Sequence, residues 1–231
     1  MYDTNVRINM DGRSEGMKIE MGRQSQAKTR RHILDVAERL FADQGLDAVS
    51  IRDITTKAKT SLGAINYHFG TKQGLIAAIF DRRLTPLSEA RLAALEAVER
   101  KAGSKNPRIE DVLDAFIRPA FSKEGGDRHH TFRKLMGRCL SEPSPDIEIM
   151  LHAHFQTVIK RFDAALLRAL PGLNKPELFW RMSYVIAGLH HGLLMVGGAF
   201  PLPPDIDLDE ETVVKRQIQF AAAVLRTPAF R

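Results

Sequence analysis

A chain of 231 residues that is 44% hydrophobic and 27% charged has enough apolar material for one large domain or two ordinary ones, and it is not a chain disordered throughout. The single cysteine, Cys139, excludes an intrachain disulfide and a cysteine-built zinc site, and it points to a reducing, cytoplasmic setting. The net charge of +6 leans N-terminal, since residues 1–83 carry 14 Lys and Arg against 10 Asp and Glu, so an anionic partner is expected at that end. The longest unbroken apolar stretch, 192–200, falls far short of the ~20 residues that span a bilayer. With no apolar signal core near the start, no membrane role is expected.

Residues 1–26 hold three glycines, scattered charges and little apolar periodicity, and they read as a disordered leader with Met17 and Met21 as alternative starts. From Thr29 the pattern turns helical: Ile33, Leu34, Ala37, Leu40 and Phe41 form one apolar face before Gly45 ends the run. Ser50 then stands as an N-cap with Asp53 three residues on, and Val49 and Ile54 are spaced as a hydrophobic staple, so a short second helix begins here. It gives way near Lys59 and Thr60. Ser61 caps a third helix over 62–69 that Gly70 stops. Thr71 caps a fourth through Leu75, Ile76, Ile79 and Phe80 to Leu84, where Thr85 and Pro86 offer a cap and a first-turn proline for another.

Helical periodicity recurs over 86–101, 109–121, 131–141, 145–170, 176–200 and 210–225, separated by Gly, Pro, Ser and Asn segments, and no stretch alternates like a strand. The expectation is an all-α chain of about ten helices: a helix-turn-helix domain over 27–84 and a second helical domain over 85–231.

Two short helices with a tight break between them form a helix-turn-helix, whose second helix enters the major groove of double-stranded DNA. Ala64, Ile65 and Phe69 are expected to face inward. That leaves Ser61, Leu62, Gly63, Asn66, Tyr67 and His68 as the groove surface, with Gly63 letting the backbone come close to the duplex. Asn66 suits adenine N6 and N7, Leu62 suits a thymine methyl, and Tyr67 and His68 suit phosphate. The competing reading makes Tyr67 and Phe69 core aromatics and leaves Arg52, Lys72, Lys28, Arg30 and Arg31 as solvated charges.

The run Ile33-Leu34-Asp35-Val36-Ala37-Glu38-Arg39-Leu40-Phe41, then Gly45, Ser50-Ile51-Arg52-Asp53-Ile54, Ala58, and Ser61-Leu62-Gly63-Ala64-Ile65-Asn66-Tyr67-His68-Phe69-Gly70-Thr71-Lys72 resembles the DNA-binding domain of the TetR family of transcriptional regulators. The resemblance implies phosphate clamping by Ser50 and Arg52 at the start of helix two and by Lys72 at the start of helix four. Lys59 departs from the glycine that the family commonly places in the turn and calls for a left-handed backbone. Asn66 departs from the family's common tyrosine and implies a different operator.

Further on, Arg133-Lys134-Leu135-Met136-Gly137, Leu178-Phe179-Trp180-Arg181-Met182 and Ala187-Gly188 resemble the C-terminal domain of a TetR subgroup that includes fatty-acid-responsive repressors of pseudomonads. This implies an apolar small-molecule effector, a fatty acid or acyl thioester. Phe116, Phe132, Met136, Phe155 and Ile159 are the candidate ligand contacts, and Arg133, His129 and His130 are candidates for a head group. An apolar stripe of this kind is more often helical core than ligand box. The family also forms homodimers through its last two long helices, which places the small residues Gly188 and Gly192, and Phe162 from the preceding helix, at the dimer interface.

No phosphate loop, dinucleotide fingerprint, HExxH or GxSxG run is present, so no enzyme is expected. His152 with His154, and His190 with His191, point to different helix faces, and neither metal nor cofactor is expected. The reading is a cytoplasmic homodimeric repressor released from operator DNA by an apolar effector. A ligand-independent activator or architectural protein stands as the alternative, and a helical enzyme or adaptor as a remote one.

Overall fold

The computed structural model describes residues 11–121, 127–141, 144–196, 203, 206 and 209–228, and among these every regular element is helical. In chain order they are α1 (Asp11–Gln44), α2 (Ile51–Ala58), α3 (Leu62–Phe69), α4 (Lys72–Ala102), α5 (Ile109–Ile117) with a 3-10 turn (Arg118–Phe121), α6 (Asp127–Ser141), α7 (Pro145–Ala169), α8 (Lys175–Val196) and α9 (Glu210–Arg226). The chain divides into two compact units at Leu75 and Ile76, within α4 and earlier than the expected boundary at 84.

In the first unit α1 packs on α2 and α2 on α3. The core is Ile33, Leu34, Ala37, Phe41, Val49, Ile54, Ala58, Ile65 and Leu75, each less than a twentieth exposed. The apolar face read from 33–41 is therefore the buried face of α1. The helix nonetheless starts at Asp11, so residues 11–26, expected as disordered leader, continue it; residues 1–10 lie outside the described residues. The extension is rich in Glu, Met, Lys, Arg and Gln, which lose little rotamer freedom in a helix, and from Glu20 to Lys28, where every side chain is exposed, propensity and not packing carries it.

The second unit is built around α5, whose Val112, Leu113, Phe116 and Ile117 are buried and which packs against α7 and α9, while α8 packs against α9. Pro86, expected to open a new helix, lies inside the 31-residue α4 instead. A mid-helix proline deletes one backbone hydrogen bond and crowds the preceding turn, costing about 3 kcal/mol. Here the buried stripe of Leu84, Arg91 and Leu95 on both sides of it holds the helix together. Proline does act as a break after α5, where Pro119 sits in the 3-10 turn.

Candidate nucleic-acid interface

α2 begins with a reciprocal capping box. The Asp53 N–H donates to Ser50 Oγ at 3.2 Å, the Ser50 N–H donates to Asp53 Oδ2 at 2.8 Å, and the Ser50 hydroxyl donates to the same oxygen at 2.6 Å. These donors, the hydroxyl first, hold the Asp53 carboxyl below its ordinary pKa of 3.8. Val49 and Ile54, the staple pair, are both fully buried. The box leaves Ser50 and Arg52 exposed at the helix N-terminus, where the backbone N–H groups of the first turn and a guanidinium suit a phosphate.

Lys59 ends α2 with φ 50° and ψ 48°, the left-handed conformation that the turn demands and that costs a residue with a Cβ about 1–2 kcal/mol. Its N–H and that of Thr60 donate to Thr56 and Thr55 carbonyls, closing the helix. Ser61 then caps α3, its Oγ accepting the Ala64 N–H at 3.2 Å.

α3 has one buried side chain, Ile65, with Ala64, His68 and Phe69 half-buried. Of the expected groove residues, Ser61, Leu62, Gly63, Asn66 and Tyr67 are exposed; Tyr67 at 72% is no core aromatic. His68 is tied down further, its ring edge-on to Tyr67 at 5.0 Å and tilted against Phe69 at 5.9 Å. The Arg30 guanidinium lies 5.3 Å from the Phe69 ring centroid and so has a partner inside the unit. A Cβ placed on Gly63 would meet only Ser61 Oγ, at 3.8 Å, so the fold has room for a side chain there and leaves the residue bare.

Lys72 starts α4 half-buried, its ammonium 3.5 Å from the Asp47 carbonyl oxygen and 6.0 Å from the Phe41 ring. Thr71 caps the helix by accepting the Gly74 N–H at 3.0 Å. Gly74 was not among the sequence candidates, yet a Cβ there would stand 2.1 Å from the Phe69 carbonyl oxygen. The turn from α3 to α4 closes only because this position has no side chain, and a glycine inside a run of good helix formers, three residues after a capping threonine, is the signal that could have marked it.

In the second unit Phe116 is buried against Phe162, ring to ring at 5.1 Å; Phe132, Arg133, Met136 and Phe155 are half-buried, and Ile159 is 42% exposed. Phe132 meets Phe80 at 5.6 Å, and burial pushes the Arg133 pKa down, opposed by Glu210. These six residues are not gathered around one described cavity. A cavity of about 360 Å³ is lined instead by Ala90, Ala94, Asp114, Ala115, Arg118, Pro119, Phe121, Glu210, Glu211 and Val214. The side chains of His129 and His130 lie outside the described residues.

Of the residues expected at a dimer interface, Phe162 and Gly192 are buried within the chain's own fold, and Gly188 is half-buried beside the exposed Phe220. Phe162 is 1% exposed within the core. A Cβ on Gly188 would stand 2.8 Å from Gln217 Nε2, and one on Gly192 3.4 Å from Val213, so both glycines let α9 of the same chain approach α8. Spacing shows that another helix comes close but not whose helix it is. Cys139 is buried, as expected of a small core residue. Among the described residues no cluster of three metal-ligating side chains occurs, and no helix is long and apolar enough to cross a membrane.

Comparison with known proteins agrees with this geometry. The family described as "Bacterial regulatory proteins, tetR family" matches residues 33–79, and "Tetracyclin repressor-like, C-terminal domain" matches 114–223. The chain is 32% identical to the HTH-type transcriptional repressor Rv3405c of Mycobacterium tuberculosis, over 48% of this chain and 69% of that one. It is 40% identical to the HTH-type transcriptional regulator AcrR of Shigella flexneri over 74 residues, about a third of each protein. Among solved structures, the fatty acid degradation regulator FadR of Bacillus halodurans has the same fold, with a TM-score of 0.63 at 13% identity over 88% of this chain and 97% of that one. With a capped, outward-facing α3 in the first unit and an all-helical second unit, the chain belongs to the TetR family of bacterial transcriptional regulators.

Proposed function

We propose that this regulator is a homodimeric repressor that holds operator DNA with α2, α3 and the start of α4, and releases it when an apolar small molecule, a fatty acid or acyl thioester, binds the second unit. The observation that carries the DNA reading is α3 itself: one face anchors through Ile65, and the other presents Ser61, Leu62, Gly63, Asn66 and Tyr67 to solvent. In this reading Asn66 and Leu62 read base edges, Tyr67 and His68 touch the backbone, and Ser50, Arg52 and Lys72 fix register on phosphates. The sign of regulation follows the repressor Rv3405c. The effector class follows the sequence resemblance and the half-buried Phe132, Met136 and Phe155 along α6 and α7.

Two recognition helices a helical turn of DNA apart require two copies of the chain. The surface that suits such a pairing is the exposed apolar face of α8, with Phe179 at 68%, Trp180 at 60% and Tyr184 at 60%. Exposed Phe220 of α9 continues it, its Cε1 3.7 Å from the Cβ position of Gly188. Exposed aromatic side chains grouped on one helix face are a usual mark of an interface.

The test is fluorescence anisotropy on the DNA upstream of the protein's own gene against a shuffled fragment, before and after adding an acyl ligand. Selective binding that the ligand reverses is expected. Lys72→Ala should weaken binding to every sequence and flatten the salt slope by about one unit, and Asn66→Ala should relax base preference. Wild-type behaviour in both variants would remove α3 and Lys72 from the interface.

A further inference from the structure

The second unit buries two arginines to the same depth and treats them differently. Arg181, 7% exposed, is fully engaged: Nε and Nη2 donate to Glu177, and Nη1 donates to the Leu225 and Thr227 carbonyls at 2.8 and 2.6 Å. Arg91, 5% exposed, makes one hydrogen bond, from Nε to the Phe116 carbonyl at 2.8 Å, and its guanidinium lies 4.1 Å from the Phe116 ring centroid. Among the described residues neither of its Nη nitrogens meets an acceptor, and no carboxylate stands within ion-pairing distance. Burial lowers its pKa only to about 10, so it is a cation at neutral pH. Its Nη nitrogens are not among the fully buried, unpartnered side-chain atoms and so keep contact with solvent, and a planar fork of N–H groups at the edge of an apolar core is the side chain best shaped for a carboxylate.

The surroundings suit a head group. Ser88 and Arg91, three apart on the inward stripe of α4, are neighbours on the helix surface. Ser88 Oγ lies 3.5 Å from His154 Nε2 on α7, while His154 Nδ1 lies 3.6 Å from Asp81. Val158 and Phe162 follow His154 along the same buried face of α7, and Phe162 meets Phe116. Ser88 and His154 thus stand together one helical turn from Arg91, with the exposed Asp81 on the outer side of His154 and apolar side chains on the inner side. The other flank of Arg91, through Ala90 and Ala94, borders the cavity that carries Asp114, Glu210 and Glu211, which would repel an anion, so the carboxylate is assigned to the Ser88 side.

We propose that Arg91, with Ser88 and His154 beside it, anchors the carboxylate of an amphipathic effector whose apolar part lies along α7; this rests on the ligand-responsive reading above. Isothermal titration of the full chain with decanoate and with decanol, alongside operator release, tests it. Decanoate is expected to bind the wild type at least about tenfold more tightly than decanol, and Arg91→Met to remove that preference while leaving decanol binding alone. Equal binding of the two compounds, or decanoate affinity unchanged in Arg91→Met, would overturn the anchor. If Arg91→Met does not fold, Arg91→Lys and Ser88→Ala carry the same comparison, each expected to weaken decanoate selectively. Arg91-dependent binding that leaves the operator complex intact would keep the anchor and overturn the effector reading. Release by both compounds, indifferent to Arg91, would do the reverse, and binding of neither would end both.

Discussion

In the unit ending at Leu75, helix ends are fixed by the residues next to them: Ser50 and Asp53 cap α2, Ser61 caps α3 and Thr71 caps α4, each over three positions. In the unit beginning at Ile76, Asn174 and Asp209 cap α8 and α9 in the same way, but the helices are also tied to one another across long stretches of chain. Arg118 of the 3-10 turn reaches Glu211 on α9, Arg226 on α9 reaches Glu110 on α5, Arg161 on α7 reaches Glu99 on α4, and Arg181 on α8 closes the end of α9. A surface that must present base-reading groups in one geometry is best specified by rigid local contacts. A unit that must respond to a ligand is better served by contacts between helices, which can be remade when one of them shifts.

The sharpest way to break the local half of this contrast is Gly74→Ala. The new methyl would run into a backbone carbonyl that cannot swing aside, so a loss of about 3 kcal/mol or more is expected in chemical denaturation; a loss below about 1 kcal/mol would mean that the turn is adaptable. Breaking the long-range half calls for Arg181→Met, which strips the Leu225 carbonyl of α9, the Thr227 carbonyl just past its end and Glu177 of their donor. About 2 kcal/mol should go, with hydrogen exchange rising first at the end of α9. Exchange that rises equally throughout the unit would deny the arginine a local role.

Gly63→Ala sharpens the comparison by separating shape from recognition. Alanine fits the space and favours the helix, so stability should rise by about 1 kcal/mol while DNA affinity falls; undiminished affinity would show that no backbone approach occurs there. The smallest effect is expected from acid. Because Ser50 lowers the Asp53 pKa, the box stabilises fully above about pH 4, near the ordinary value of 3.8, and is lost as pH falls through the lower folded value. Amide shifts of Ser50 and Asp53 followed by NMR should move together below that pH, ahead of any change at Ser61.

The same contrast explains what could be read from the amino-acid sequence. Caps, glycine stops and the left-handed Lys59 are functions of three or four adjacent residues, so α2 and α3 and the exposed row of α3 were legible almost residue by residue. Pro86 misled because burial on both sides of it outweighs a local penalty. Gly188 and Gly192 are ambiguous because a small-residue face does not say which chain approaches it. Arg91 gives no local sign at all, since its hydrogen bond to Phe116 spans 25 positions, and only its place in the stripe from Leu84 to Leu95 hints at burial. Its near twin in burial, Arg181, sits in the run Leu178-Phe179-Trp180-Arg181-Met182, where no spacing reveals the carbonyls it caps.

The pairing of Arg226 with Glu110 also sets a timetable. The two residues are 116 positions apart, and at about 5–20 residues per second a ribosome needs roughly 6 to 23 seconds to make the second after the first. Throughout that interval α9 does not exist, and the apolar side of α5 that it covers, Val112 to Ile117, has no lid. The nascent chain therefore carries an uncovered hydrophobic helix while the caps of α2 and α3 are already made, and α5 is the segment on which a chaperone would be found waiting.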